Sequence, residues 1–221
     1  MQVDEALTTT RAVRKRLDLE RPVERATVEE CLELAMQAPN GSNQQFYRWV
    51  LIDDPQVKAQ VADIYRAGLA GYAGSGPSAD KPRNVDYTSA AAQRISSSVA
   101  YLQEHLHEVP VLVLPLMAGR MDGDKGQGAS VFFQASMWGS VIPAVWSFML
   151  ALRERGMGSA WTTIHLHKEQ EMADLLGIPP TYTQVGLFPV AYTIGTDFKP
   201  GLRKSAAEVS SWNGFAKESN A

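Results

Sequence analysis

Apolar residues recur at helical spacing through Val28, Cys31, Leu32 and Ala35, which predicts a helix with one buried face. Thr27 with Glu30 reads as its capping box, and Pro39 sets its stop. A polar stretch, Ala38-Pro39-Asn40-Gly41-Ser42-Asn43-Gln44-Gln45, follows, and Tyr47 to Ile52 then reads as a strand. Asp54-Pro55 starts the next helix, with an acidic cap and a proline at its first position. Val109 to Leu116 is continuously apolar, the pattern of a strand covered on both faces, and Leu175-Leu176-Gly177 ends a short helix at a glycine. The predicted order is helix, helix, strand, helix, helix, strand, long helix, strand, helix, strand and an extended tail. This is an α+β chain with a central sheet of about four strands. From Thr196 onward periodic apolar positions are few, and Leu202, Trp212 and Phe215 read as isolated anchors for wrapping a neighbouring subunit.

The long helix falls in 27 consecutive uncharged residues between Lys125 and Arg153. That length suffices to span a bilayer. Gln127, Ser130, Gln134, Ser136, Ser140, Pro143 and Ser147 interrupt it, so a helix buried in protein is expected instead. It carries more apolar face than one subunit can cover, which points to a dimer core packed by Phe132, Phe133, Trp138, Trp146 and Phe148.

With 221 residues, 45% hydrophobic and 20% charged, the chain reads as one domain, 1–221, able to bury a sizeable core. No internal repeat or linker interrupts it. The stretch from Gly68 to Asp86, rich in Gly, Ala, Ser and Pro, reads as a surface excursion over a site. The single Cys31 excludes an internal disulfide and a cysteine metal cluster, and its place on an apolar helix face marks a buried thiol. The amino-terminal residues form no apolar leader, so a cytoplasmic protein is expected.

Candidate chemistry lies first in the loop Pro39, Asn40, Gly41, Ser42, Asn43 and Gln45. Its amides both donate and accept, which suits a flat heterocycle, although a solvated turn has the same composition. Second, Arg11, Arg14, Lys15 and Arg16 put four cations in six residues, with Arg203-Lys204 near the other end. The net charge of -3 and the absence of a second basic run argue against nucleic acid and for one small phosphate. The alternative is a charged face neutralised by Asp18, Glu20 and Glu24. Gly156 to Trp161 begins like a dinucleotide fingerprint, but it leads from helix to strand and has Trp161 where a third glycine belongs. His105 with His107 and His165 with His167 lack a ligand set for metal and read as surface or strand-end residues. No serine, histidine and acid arrangement marks a nucleophile.

Taken in order, Arg11-Ala12-Val13-Arg14, Ala38 to Gln45, Gly156 to Thr163, and Phe188 to Tyr192 followed by Arg203-Lys204 resemble the flavin-dependent nitroreductase family. The resemblance implies an α+β fold with a mixed central sheet flanked by helices, a long buried dimer-core helix and an extended C-terminal tail. It further implies bound FMN, NADH or NADPH as hydride donor, and a homodimer with two sites across the subunit interface. Arg11 and Arg14, with Arg203 and Lys204, would meet the FMN phosphate and ribityl chain. Pro39, Asn40, Gly41, Ser42, Asn43 and Gln45 would approach the flavin, partly from the partner subunit. Gly158, Ser159, Ala160 and Trp161 would lie against the ring, glycine letting the backbone come close. Ala12 stands where the family commonly has Ser, Thr10 where a basic residue is frequent, Arg16 where an aromatic is common, and Phe46-Tyr47 where Pro-Trp is typical. The implied activity is hydride transfer through flavin to a nitroaromatic or quinone. A deiodinase-like or dehydrogenase-like enzyme, or a non-catalytic flavin carrier, is the alternative on the same scaffold.

Overall fold

The computed structural model describes residues 1–74, 90–122 and 130–215. Helix α1 spans Val3–Thr9 and α2 Arg25–Ala35, and strand β1 runs Tyr47–Ile52. Helices α3, Pro55–Gly74, and α4, Ala90–His105, precede strand β2, Val111–Ala118. Then come α5, Val131–Glu154, β3, Met157–Gly158, α6, Glu169–Leu176, β4, Tyr182–Gln184, β5, Phe188–Tyr192, and a last turn of helix α7, Ala206–Val209.

The sheet runs β1-β2-β5-β3, and β4 extends it by pairing with the far end of β2. These pairings are antiparallel, with Val50 opposite Leu114, Leu112 opposite Pro189, and Met157 opposite Tyr192. A parallel bridge joins Ala12 to Ser159, bringing the basic segment to the sheet margin.

Strand β2 is apolar throughout because both its faces are covered. Val111, Val113 and Met117 belong to one cluster with α2 and α5, including Cys31, Ala35, Val145 and Phe148. Leu112, Leu114 and Leu116 belong to the other, with Val61 and Tyr65 of α3, Leu102 of α4, Met172 of α6, and Val13 and Leu17. Trp49 of β1 stacks at a tilt on Phe148, centroids 5.5 Å apart.

Several element ends follow the sequence. Asp54 Oδ1 accepts from the amides of Gln56 at 2.9 Å and Val57 at 3.0 Å, and α3 begins at Pro55. Helix α6 stops at Gly177, whose φ of 64° is the left-handed cap. Three expectations are corrected. Helix α2 starts at Arg25, two residues before Thr27, with Glu24 as N-cap and no side-chain cap bond, so there is no capping box at Thr27 and Glu30. Arg25 is instead pinned to Asp53. Gly68 to Gly74 continue α3 rather than opening an excursion, while 75–86 lie outside the described residues. A fifth strand, β4, joins the four expected.

Helix α5 is long and apolar enough to cross a bilayer by length and composition, with Pro143 inside it. Its Val141, Ala144, Val145, Phe148 and Leu152 are buried in this chain, and Phe133 and Trp138 pack against that core. Phe132 and Trp146 do not: they are 82% and 37% exposed, as one chain cannot cover every face of a helix that is apolar all round.

Candidate functional site

The segment after α1 is tied to the sheet margin by two isolated bridges, at Ala12 and Leu17, with a turn between them. Val13 N–H donates to Ser159 O at 2.8 Å, and Leu17 bridges Thr193. Val13 and Leu17 point into the core, leaving Ala12 exposed and Arg14 half-buried. Gly158 is what allows this closeness. A Cβ there would stand 2.7 Å from Thr193 Cγ2 and 2.9 Å from Val13 Cγ2. Its smallness is used inside the protein, between this segment and the sheet. Ser159 and Ala160 are also buried, while Trp161 is half-buried and meets Phe188 edge-on at 5.1 Å.

The cations divide into two groups. Arg16 is committed: it donates to Asp197 at 2.6 Å and to Ile194 O at 2.8 Å, and lies over the Phe198 ring. Lys15 reaches Ser97 at 3.1 Å. Arg11 and Arg14 have no carboxylate partner among the described residues, and no ion pair joins Asp18, Glu20 or Glu24 to the strip. Asp18 Oδ1 instead accepts from the amides of Glu20 and Arg21. The Arg11 guanidinium fills the space over Gly201, where any Cβ would overlap it. Together with Thr10, Trp146 and Arg203, Arg11 lines a cavity of about 280 Å³. Lys204 is exposed beside it in the chain. A neighbouring cavity of about 190 Å³ is lined by Ala12, Arg14, Arg16, Ser98 and Phe198.

Tyr65 is a part of this region that sequence reasoning missed. It stands on the buried face of α3, and burial pushes its phenol above the usual range, with the Thr162 hydroxyl and the Arg14 charge opposing. It shares the buried face of α3 with Val61 and Ala62, the spacing of an ordinary core position, so the sequence carries no functional signal for it.

The 39–45 loop is built differently. Asn40 Oδ1 accepts from the Gln45 amide at 3.0 Å, and the Gly41 amide donates to Ser140 Oγ of α5 at 3.0 Å. Ser42, Asn43 and Gln45 hold φ of 50°, 54° and 50°, the left-handed region that costs a non-glycine residue about 1 kcal/mol or more. Pro39 and all residues from Gly41 to Gln45 are exposed. One chain thus joins the 11–14, 158–161 and 201–203 segments, and the loop is anchored on Ser140 of α5, the helix whose Trp146 lines the Arg11 cavity.

His165 corrects the surface reading: it is fully buried on a 3-10 turn, Ile164–Lys168, and neither ring nitrogen has a partner within hydrogen-bond geometry among the described residues. Burial pushes it down to about 4, against an opposing influence from Gln184. His105 and His107 both neighbour Glu108, at 2.9 Å and 3.7 Å, yet no metal-holding group occurs among the described residues.

The family model described as the nitroreductase family matches residues 7–192. The chain belongs to the nitroreductase family. Solved structures agree in fold. An oxidised iodotyrosine deiodinase bound to FMN and 3-iodo-L-tyrosine is 20% identical, with 97% of this chain and 100% of that one covered and a TM-score of 0.69. A BluB-like flavoprotein from Clostridium difficile 630 is 19% identical, covering 98% and 100%, with a TM-score of 0.71. The FMN- and NADPH-dependent nitroreductase NfnB from Sphigopyxis sp. strain HMH is 21% identical, covering 97% and 100%, at 0.69. Comparison with curated proteins gives no significant match. The nitroreductase fold accounts for the sheet with helices on both faces.

Proposed function

We propose that the protein is an FMN-dependent oxidoreductase that takes hydride from NADH or NADPH and passes it to an electron-poor acceptor such as a nitroaromatic or quinone. The observation that carries this reading is the pair Arg11 and Arg14, without carboxylate partners among the described residues and flanking Ala12, which is bridged to Ser159, in a nitroreductase chain. Two guanidiniums and the outward amides of the strained loop suit a phosphate-bearing heterocycle. Bound FMN supplies the hydride chemistry, which explains why no nucleophile or acid pair is needed from the chain.

The chain's own residues bind and orient. Arg11 and Arg203 hold phosphate oxygens by charge-assisted bonds, with Lys204 adding charge. Arg14 stabilises negative charge beside the 158–161 segment, and buried Tyr65 keeps that flank dry. The loop Pro39, Asn40, Gly41, Ser42, Asn43 and Gln45 serves a second copy's site. Exposed Phe132, Trp146, Leu202, Trp212 and Phe215 support a homodimer with two equivalent sites. A nicotinamide-driven enzyme of this kind fits the cytoplasm.

The likeness to iodotyrosine deiodinase over the length of both chains favours reductive dehalogenation as the second reading. The test is anaerobic reduction of the FMN-loaded protein followed by mixing with a nitrobenzoate, a benzoquinone or 3-iodo-L-tyrosine. Fast reoxidation by the first two supports the proposal. Reoxidation by iodotyrosine alone transfers the assignment to dehalogenation.

A further inference from the structure

From Ile194 to Pro200 every residue is exposed except Phe198, which is half-buried. Two guanidiniums lie over its ring, with Arg16 Cζ 4.3 Å and Arg153 Cζ 4.8 Å from the centroid. Like charges gathered on one ring repel each other, so each needs support of its own. Arg16 has Asp197, at 2.6 Å. Arg153 is 6% exposed and has no carboxylate partner among the described residues. It stands in the last turn of α5, where the helix end carries partial negative charge, and donates to Thr196 O at 2.9 Å. A buried guanidinium without an acid is costly, and an aromatic face is one of the few uncharged surfaces that attracts it.

These contacts all fall on one short strap after β5. Ile194 exchanges two bonds with Arg16, its amide donating to Arg16 O and its carbonyl accepting from Arg16 Nε, both at 2.8 Å. Thr196, Asp197 and Phe198 follow, and Gly201 then packs beneath the Arg11 guanidinium. Pro200, with its φ fixed by the ring, stiffens the link between Phe198 and Gly201. Past Gly201 the hold ends, for among the described residues Arg203 donates only to Leu202 O, at 2.8 Å. The place of Arg203 in the cavity it shares with Arg11 is therefore decided by the strap from 194 to 201.

Resting on the FMN reading above, we propose that Phe198 is a positioning residue: held by Arg16 and Arg153, it fixes the strap so that Arg203 faces Arg11, and it sets cofactor affinity without touching the cofactor. Arg16, where the family commonly has an aromatic, is given over to this grip.

The test measures FMN and riboflavin affinity by fluorescence titration for the wild type, Phe198→Leu, Phe198→Tyr, Arg16→Met, Arg203→Ala and the double variant Phe198→Leu with Arg203→Ala. Arg203→Ala is expected to weaken FMN about tenfold or more, as loss of a charge-assisted bond implies. Phe198→Leu keeps an apolar side chain but removes the ring face, and is expected to weaken FMN about three- to tenfold while riboflavin, which has no phosphate, stays within about twofold. Arg16→Met loosens the grip from its other side and should show the same selective loss. Phe198→Tyr keeps the ring and should bind FMN within about twofold of the wild type. In the double variant the loss is that of Arg203→Ala alone, because Phe198 acts through Arg203. Equal losses for FMN and riboflavin, or losses that multiply in the double variant, would mark a merely structural role and overturn the proposal. Wild-type FMN affinity in both Phe198→Leu and Arg16→Met also overturns it. Failure of the wild type to bind FMN is a separate result and removes the functional reading itself.

Discussion

In the proposed FMN site, Arg11 is the side chain on which the phosphate end would depend most. It packs over Gly201 and faces the cavity it shares with Arg203, without an acid to neutralise it among the described residues. Arg11→Ala removes a charge-assisted bond worth about 1.5–3 kcal/mol, so FMN affinity falls roughly 10- to 100-fold in a fluorescence titration while the melting temperature of the apoprotein stays near wild type. Gly158 makes the opposite prediction. Its added methyl in Gly158→Ala would strike Val13 and Thr193, so urea unfolding should show a loss of about 1–3 kcal/mol from overpacking. The residues proposed for the site stand out in the sequence, Arg11 and Arg14 by charge and the Gly156 to Thr163 turn by its glycines. Their division of labour does not. Whether a guanidinium is committed, as Arg16 is to Asp197, or free, as Arg11 is of acids, depends on residues nearly two hundred positions away.

Among the elements, the 3-10 turn that carries His165 responds to acid. The buried imidazole is held at about 4, below its ordinary 6.5, because burial penalises the charged ring. Above pH 6.5 both folded and unfolded chains hold it neutral and no penalty arises. As pH falls from 6.5 towards 4 the unfolded chain binds the proton first, so stability declines across that window by up to about 3 kcal/mol. Urea unfolding at pH 7 and pH 5 should show this decline in the wild type and a smaller one in His165→Gln. Equal declines would mean that other groups set the acid response. Regular elements were readable wherever period and punctuation agreed: β1, the Asp54-Pro55 start of α3, and the Gly177 stop of α6. Helix α2 began earlier than its Thr27 signal because the Arg25 pairing with Asp53, a contact to the end of β1, fixes its first turn. Strand β4 escaped notice because Tyr182-Thr183-Gln184 is too short to show a period and exists only by pairing with β2.

For the whole molecule, apolar surface left open by one chain points to a second. Leu202, Trp212 and Phe215 are 97%, 94% and 95% exposed, and Val131 and Phe132 open the α5 face. Such a set of large side chains needs a partner surface. The intact protein should elute at twice the 24.2 kDa chain mass in light-scattering chromatography, and removal of residues 196–221 should weaken that dimer together with FMN retention. A monomeric intact protein that holds FMN tightly would contradict the shared-site arrangement. The central claim is flavin-mediated hydride transfer, and the most direct measurement is the visible absorption spectrum of protein mixed with FMN, desalted, and then treated with NADPH or NADH without oxygen. A flavin spectrum that survives desalting and bleaches with nicotinamide is the predicted result. A colourless desalted protein, or a retained flavin that neither nicotinamide bleaches, would contradict the account.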